Sequence, residues 1–169
     1  MLKHIIIGAA AMALAACGAS AGQGNTQGPD ASLAPLPWAG FYERAAKAFQ
    51  DGKSDEAVTL FYIGQLRGRI VIECQSPPPD RDPALFASFQ QTLGAPINGY
   101  AGGSPDGWAA AIDQALAWDA AHPDPNAASA QCRAERDRQR AGLTELRDHI
   151  RANKDEIRRE RTANGLPNR

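Results

Sequence analysis

The chain has 169 residues and a formal net charge of −1 at pH 7. That length holds one domain with a real hydrophobic core and leaves little room for a second. The near-neutral balance gives no overall basic excess of the kind that draws a protein to nucleic acid.

The N-terminus carries the clearest signal. Lys3 precedes the apolar residues 5–16, and small residues lead up to Cys17, which is the layout of a secretory signal peptide. Twelve apolar residues would make a helix of about 18 Å against a hydrocarbon core of about 30 Å, too short to span stably. Within this leader, Leu14-Ala15-Ala16-Cys17 resembles the lipobox of bacterial lipoproteins, and all four positions match that pattern. The resemblance implies removal of residues 1–16, a thioether-linked diacylglycerol on Cys17 and usually an acylated amino group. Each buried methylene contributes about 0.8 kcal/mol, so two or three chains would anchor the protein firmly. Gly18 implies the outer membrane, facing the periplasm, because inner-membrane retention usually uses Asp there. An ordinary signal peptide with a chance cysteine is the alternative.

If Cys17 is committed to lipid, Cys74 and Cys132 remain as an even pair in an oxidising compartment. They form either a disulfide, worth about 4 kcal/mol in chain entropy for a loop of this length, or two buried thiols. The address also makes nucleic acid a poor partner. It leaves the membrane, through Cys17, and a protein of the envelope as the expected ones.

Residues 17–37 are rich in Gly, Ala, Ser, Asn, Gln and Pro, lack a periodic apolar pattern and read as a flexible tether. Residues 38–169 read as the folded domain. Over 38–50, Trp38, Phe41, Tyr42, Ala45 and Phe49 recur at helical spacing, and Asp51-Gly52 ends the helix. Ser54 can cap a second helix carrying Ala57, Leu60, Phe61, Ile63, Gly64, Ile70 and Val71, which must break at Pro77-Pro78-Pro79. This pair resembles a single tetratricopeptide repeat at Phe41, Ala45, Ala57, Phe61 and Gly64, where small residues let two helices approach closely. It departs from the repeat at Arg44 and Arg69, and no second copy follows.

Asp82-Pro83 predicts a third helix with Leu85, Phe86, Phe89 and Leu93 inward, closed by Gly94. A glycine-rich loop is expected over 95–103. Ser104-Pro105 starts a fourth helix with Trp108, Ile112, Ala115 and Trp118 inward, ended by His122-Pro123-Asp124-Pro125. A last helical region is predicted from about Ala127 toward Asn164, with Gly142 or Asn153 as a kink or break. Here the charge is asymmetric. Residues 18–132 hold six Lys/Arg and twelve Asp/Glu, whereas 133–169 hold eleven and seven. The basic region reads either as a salt-bridge-laced helix docked on an acidic body or as a surface for an acidic partner. The sum is an all-α single bundle of five or six helices.

No catalytic residue and no metal ligand is assigned, and no cofactor is implied. His122 and His149 lie outside any metal-binding spacing, and Asp119 and His122 suit a local pair or cap. The glycine-rich stretch 99–107 lacks the ending of a phosphate loop. Tyr100, Ser104 and Trp108 are the candidate contact residues, on a loop expected to project from the body. Tyr100, Trp108 and Trp118 could line a groove or fill the core. The expected role is a lipid-anchored binding or scaffold module. An envelope hydrolase using a carboxylate pair and an inhibitor or immunity-type lipoprotein are the alternatives.

Overall fold

The computed structural model describes residues 28–74 and 83–169. The lipobox and its cysteine lie outside the described residues, as does the triple proline. Among the described residues there are six α-helices and no strand, so the fold is a single helical bundle. None of these helices is long and apolar enough to cross a membrane.

The first two helices are α1 (Trp38–Gln50) and α2 (Ser54–Cys74). They turn at Asp51-Gly52, where Gly52 takes a φ of 76° and the Lys53 N–H closes onto the Ala48 carbonyl at 2.8 Å. A positive φ is open to glycine at little cost, so this residue fixes the turn. Helix α2 is the axis of the bundle. It is buried on nearly every side and touches α1 and three later helices, α3 (Pro83–Gly102), α4 (Pro105–Ala121) and α5 (Ala130–Ala152). Ile70 and Val71 stay helical because their side chains are covered, which outweighs a local β preference. Where α1 crosses α2, a Cβ on Gly64 would lie 3.2 Å from the Phe41 Cβ and 3.3 Å from the Trp38 carbonyl. The absence of a side chain there lets the two backbones approach.

Helix α3 (Pro83–Gly102) departs from expectation. It runs straight through Gly94, Pro96 and Gly99, and so absorbs the loop expected over 95–103. Pro96 faces solvent and Ile97 and Ala101 are buried in the core. Their burial compensates for the missing Pro96 N–H and for two poor helix formers. The outward side of α3 is uncharged along its whole length. Helix α4 (Pro105–Ala121) begins as expected, with Pro105 at the first turn and the Ser104 hydroxyl accepting from the Gly107 N–H at 3.3 Å.

The basic region forms α5 (Ala130–Ala152) and α6 (Lys154–Ala163), broken at Asn153. The Asn153 side-chain amide donates to the His149 carbonyl at 2.8 Å and so terminates α5. Both helices dock on α4 through ion pairs. Arg140 meets Asp119 at 2.8 Å, Arg147 meets Asp113 at 2.9 Å and Arg158 meets Asp106 at 2.9 Å. Arg151 also pairs with Asp113, and Lys154 lies 3.4 Å from Asp106. Of the two readings of the charge asymmetry, the structure has the docked, salt-bridge-laced helix.

Cys74 at the end of α2 and Cys132 in the first turn of α5 are joined by a disulfide and are almost completely covered. Residues 28–37, expected to be tether, instead lie against the body. They contain a 3-10 turn, Ala31–Leu33, capped by Asp30, and Leu33, Ala34 and Leu36 pack onto the core. The apolar positions are too few to show a period, but they suffice to hold this strap down.

Candidate ligand groove

The strap covers a buried cation that sequence patterning missed. Arg67 is fully buried in the middle of α2. Its Nε donates to Asp119 Oδ1 at 3.2 Å, one terminal nitrogen donates to the Ala34 carbonyl at 3.2 Å, and the other donates to the His122 carbonyl. The guanidinium lies between the rings of Phe41 and Trp118, 5.0 and 4.9 Å from their centroids. One side chain thus ties together the strap, the axis of the bundle and the end of α4. The signal was available: Arg67 falls four residues after Ile63 and three before Ile70, on a stripe that is otherwise apolar. Asp119 and His122 do not pair with each other, but His122 does cap α4, its backbone N–H donating to the Trp118 carbonyl at 3.0 Å. Asp119 serves Arg67 and Arg140, while His122 stacks on Trp118 and its Nδ1 lies 2.9 Å from the Trp118 carbonyl.

Beside this clasp is a groove of about 1040 Å³ between the strap, α2 and α4. The strap contributes Gly28 to Ala31, and the floor is Thr59 with Ala110, Ala111 and Gln114. The Thr59 hydroxyl is buried and meets Gln114 Oε1 at 3.2 Å. The rim is mainly acidic, from Asp30, Asp55 and Glu56, with Arg169 as the one cation among the described residues. The Asp30 carboxyl is held below its ordinary range by the Ser32 N–H it caps. That carboxylate is therefore poorly suited to act as a general acid.

The candidate contact residues divide. Ser104 lines the groove as the cap of α4. Tyr100 does not line the groove; it lies on the last turn of α3 and touches two lining residues, its hydroxyl donating to Asp55 Oδ1 at 3.0 Å and its ring under the Arg169 guanidinium. Trp108 turns inward: its indole N–H donates to the Tyr62 hydroxyl at 2.7 Å, and Tyr62 donates onward to Asn98 Oδ1 at 3.0 Å. Burial pushes the Tyr62 phenol up to about 12. Trp118 is core. The three residues are therefore not one projecting loop, because α3 extends through that segment to bury Ile97 and Ala101.

Gly165-Leu166-Pro167 ends the last helix, and the residues that follow fold back over the junction of α3 and α4. The Arg169 N–H donates to the Gly103 carbonyl at 2.6 Å, and its guanidinium donates to the Tyr100 carbonyl at 2.9 Å. The same guanidinium lies 3.4 Å from the centroid of the Tyr100 ring. The Asn168 amide donates to the Arg158 carbonyl and the Thr162 hydroxyl.

Among the described residues no group of three or more His, Cys, Asp or Glu side chains is placed to hold a metal ion. No family model, curated protein or solved structure matches the chain.

Proposed function

We propose that this protein is a lipid-anchored binding module of the bacterial envelope that meets its partner in the groove between the strap, α2 and α4. The groove carries the reading. It is large enough for several residues of a peptide, it is lined by hydroxyl, amide and charged groups that can orient a ligand, and it opens on one face of a closed core. The lipobox at Leu14-Ala15-Ala16-Cys17 supports the anchor, in the outer membrane and facing the periplasm. Residues 18–27 span at most about 36 Å when fully extended, so such an anchor would keep the groove close to the membrane surface.

The test is site-specific photo-cross-linking in intact cells. A cross-linker at Gln114, on the groove floor, is expected to give a discrete adduct. The same group at Gln91, on the exposed side of α3, is expected to give none. Equal adducts from both positions would remove the groove as the contact face. A hydrolase reading has less support, because Asp30 is committed to capping and Asp55 to Tyr100. The inhibitor reading loses the projecting loop that motivated it.

A further inference from the structure

Arg169 occupies a shaped seat at the junction of α3 and α4. Two features of Tyr100 meet its guanidinium, and Asp55 stands beside that tyrosine. The face of Tyr100 lies 3.4 Å away, well inside the range for a cation–π contact. The Tyr100 carbonyl accepts from it at 2.9 Å. Asp55 stands at the rim of that ring, one oxygen engaged by the Tyr100 hydroxyl and the other without a partner among the described residues. The backbone is shaped for the occupant. A Cβ on Gly103 would lie 3.2 Å from Arg169 Nε and 3.3 Å from the Pro167 carbonyl, so a bare backbone makes room for both. A planar cation over an aromatic face, with a carbonyl oxygen accepting from it, is a geometry that favours arginine over lysine.

We propose that the Tyr100–Asp55 corner, at the edge of the groove, is a guanidinium-binding subsite for an arginine side chain of a partner polypeptide. Arg169 fills it in the free protein and is displaced when the partner docks. This rests on reading the groove as the binding face, and names the chemistry of what enters it. Three carboxylates already outnumber one guanidinium along the rim, and departure of Arg169 leaves that rim wholly acidic. The charge then complements a basic peptide. Segment 165–169 acts as a built-in competitor: it is held by hydrogen bonds to α6 and to the α3–α4 junction, without a covalent tie or large apolar burial of its own.

The experiment titrates a blocked peptide, acetyl-Gly-Arg-Gly-amide, and its lysine counterpart into three proteins, followed by backbone amide shifts around Tyr100 and Asp55. The proteins are the parent, Arg169→Ala and Arg169→Ala with Tyr100→Ala. Arg169 is on the surface, so its replacement leaves the bundle intact, and unchanged far-ultraviolet circular dichroism confirms this. Arg169→Ala is expected to bind the arginine peptide on the order of tenfold more tightly than the parent, as when an intramolecular competitor is removed. It should bind the lysine peptide more weakly, and Tyr100→Ala should abolish the gain. Absence of binding to Arg169→Ala, equal affinity of parent and variant, or no preference for arginine over lysine would each overturn the subsite. If those results came with a discrete Gln114 adduct in cells, the guanidinium chemistry would fall while the groove stood.

Discussion

Replacing Asp119 by alanine isolates the energetics of the buried clasp. Among the described residues, Asp119 is the only carboxylate bonded to the fully buried Arg67. The substitution leaves that guanidinium inside the bundle with two carbonyls and two aromatic faces but no counter-charge. Breaking one partner out of a buried pair costs about 3–5 kcal/mol, chiefly because the remaining charge stays desolvated. For a folded body of about 130 residues, unfolding entropy near 2.1 cal/mol/K per residue converts this to a fall in Tm of about 11–18 °C. Arg140, the second partner of Asp119, is a quarter exposed, so Arg140→Ala should cost no more than about 1 kcal/mol. Arg67→Met with Asp119→Leu should recover much of the loss, since an apolar pair removes the desolvation penalty along with the attraction. Urea unfolding followed by tryptophan fluorescence, with the disulfide intact, gives all three values. A loss below about 1 kcal/mol for Asp119→Ala would refute the reasoning, because the carbonyls and rings would then suffice to hold the charge.

The remaining expectations concern packing, the disulfide and alkaline pH. Gly68 is pressed by Phe86, whose ring would lie 2.7 Å from an added Cβ, so Gly68→Ala should destabilise by about 1–3 kcal/mol. Gly142 on α5 faces open space, and Gly142→Ala should stabilise by up to about 1 kcal/mol in the same urea assay. Removing the bridge between Cys74 and Cys132, 58 residues apart, as a double serine variant should cost about 2–4 kcal/mol. Thiol counting on the unreduced parent protein under denaturing conditions should find neither cysteine free. Tyr62 has its phenol raised from the ordinary value near 10 to about 12 by burial. Its contribution is therefore intact below about pH 10 and is lost as pH rises toward 12. Absorbance at the phenolate band against pH should show Tyr62 ionising only with alkaline unfolding, and early reversible ionisation would contradict its burial.

The helical class and most helix ends were legible because they are local. Asp51-Gly52, Ser104-Pro105 and Asn153 act through their own backbone conformation or capping groups, and sequence carries that directly. The length of α3 was not legible, since Gly94, Pro96 and Gly99 are all breakers and only burial of Ile97 and Ala101 against the rest of the bundle overrides them. The strap was hidden for the same reason: Leu33 and Leu36 have no period to announce them, and Arg67, which holds the Ala34 carbonyl, is 33 residues away. The groove combines residues from 28 to 169, so neither it nor the seat of Arg169 could be assembled from spacing. Tyr100 and Ser104 were singled out for a projecting loop, yet Ser104 lines the groove and Tyr100 contacts its lining residues Asp55 and Arg169, because glycine-rich polar sequence marks a junction between helices whether or not it projects.

Anchor and binding face can be tested together in one measurement. Cross-linking from Gln114 is compared in cells carrying the parent chain and Cys17→Ser, with membrane and soluble fractions analysed separately. The account expects the parent in the membrane fraction with a discrete adduct, and Cys17→Ser in the soluble fraction with that adduct reduced. A Cys17→Ser protein that stays with the membrane, or a Gln114 position that yields no adduct in the anchored parent, would contradict it.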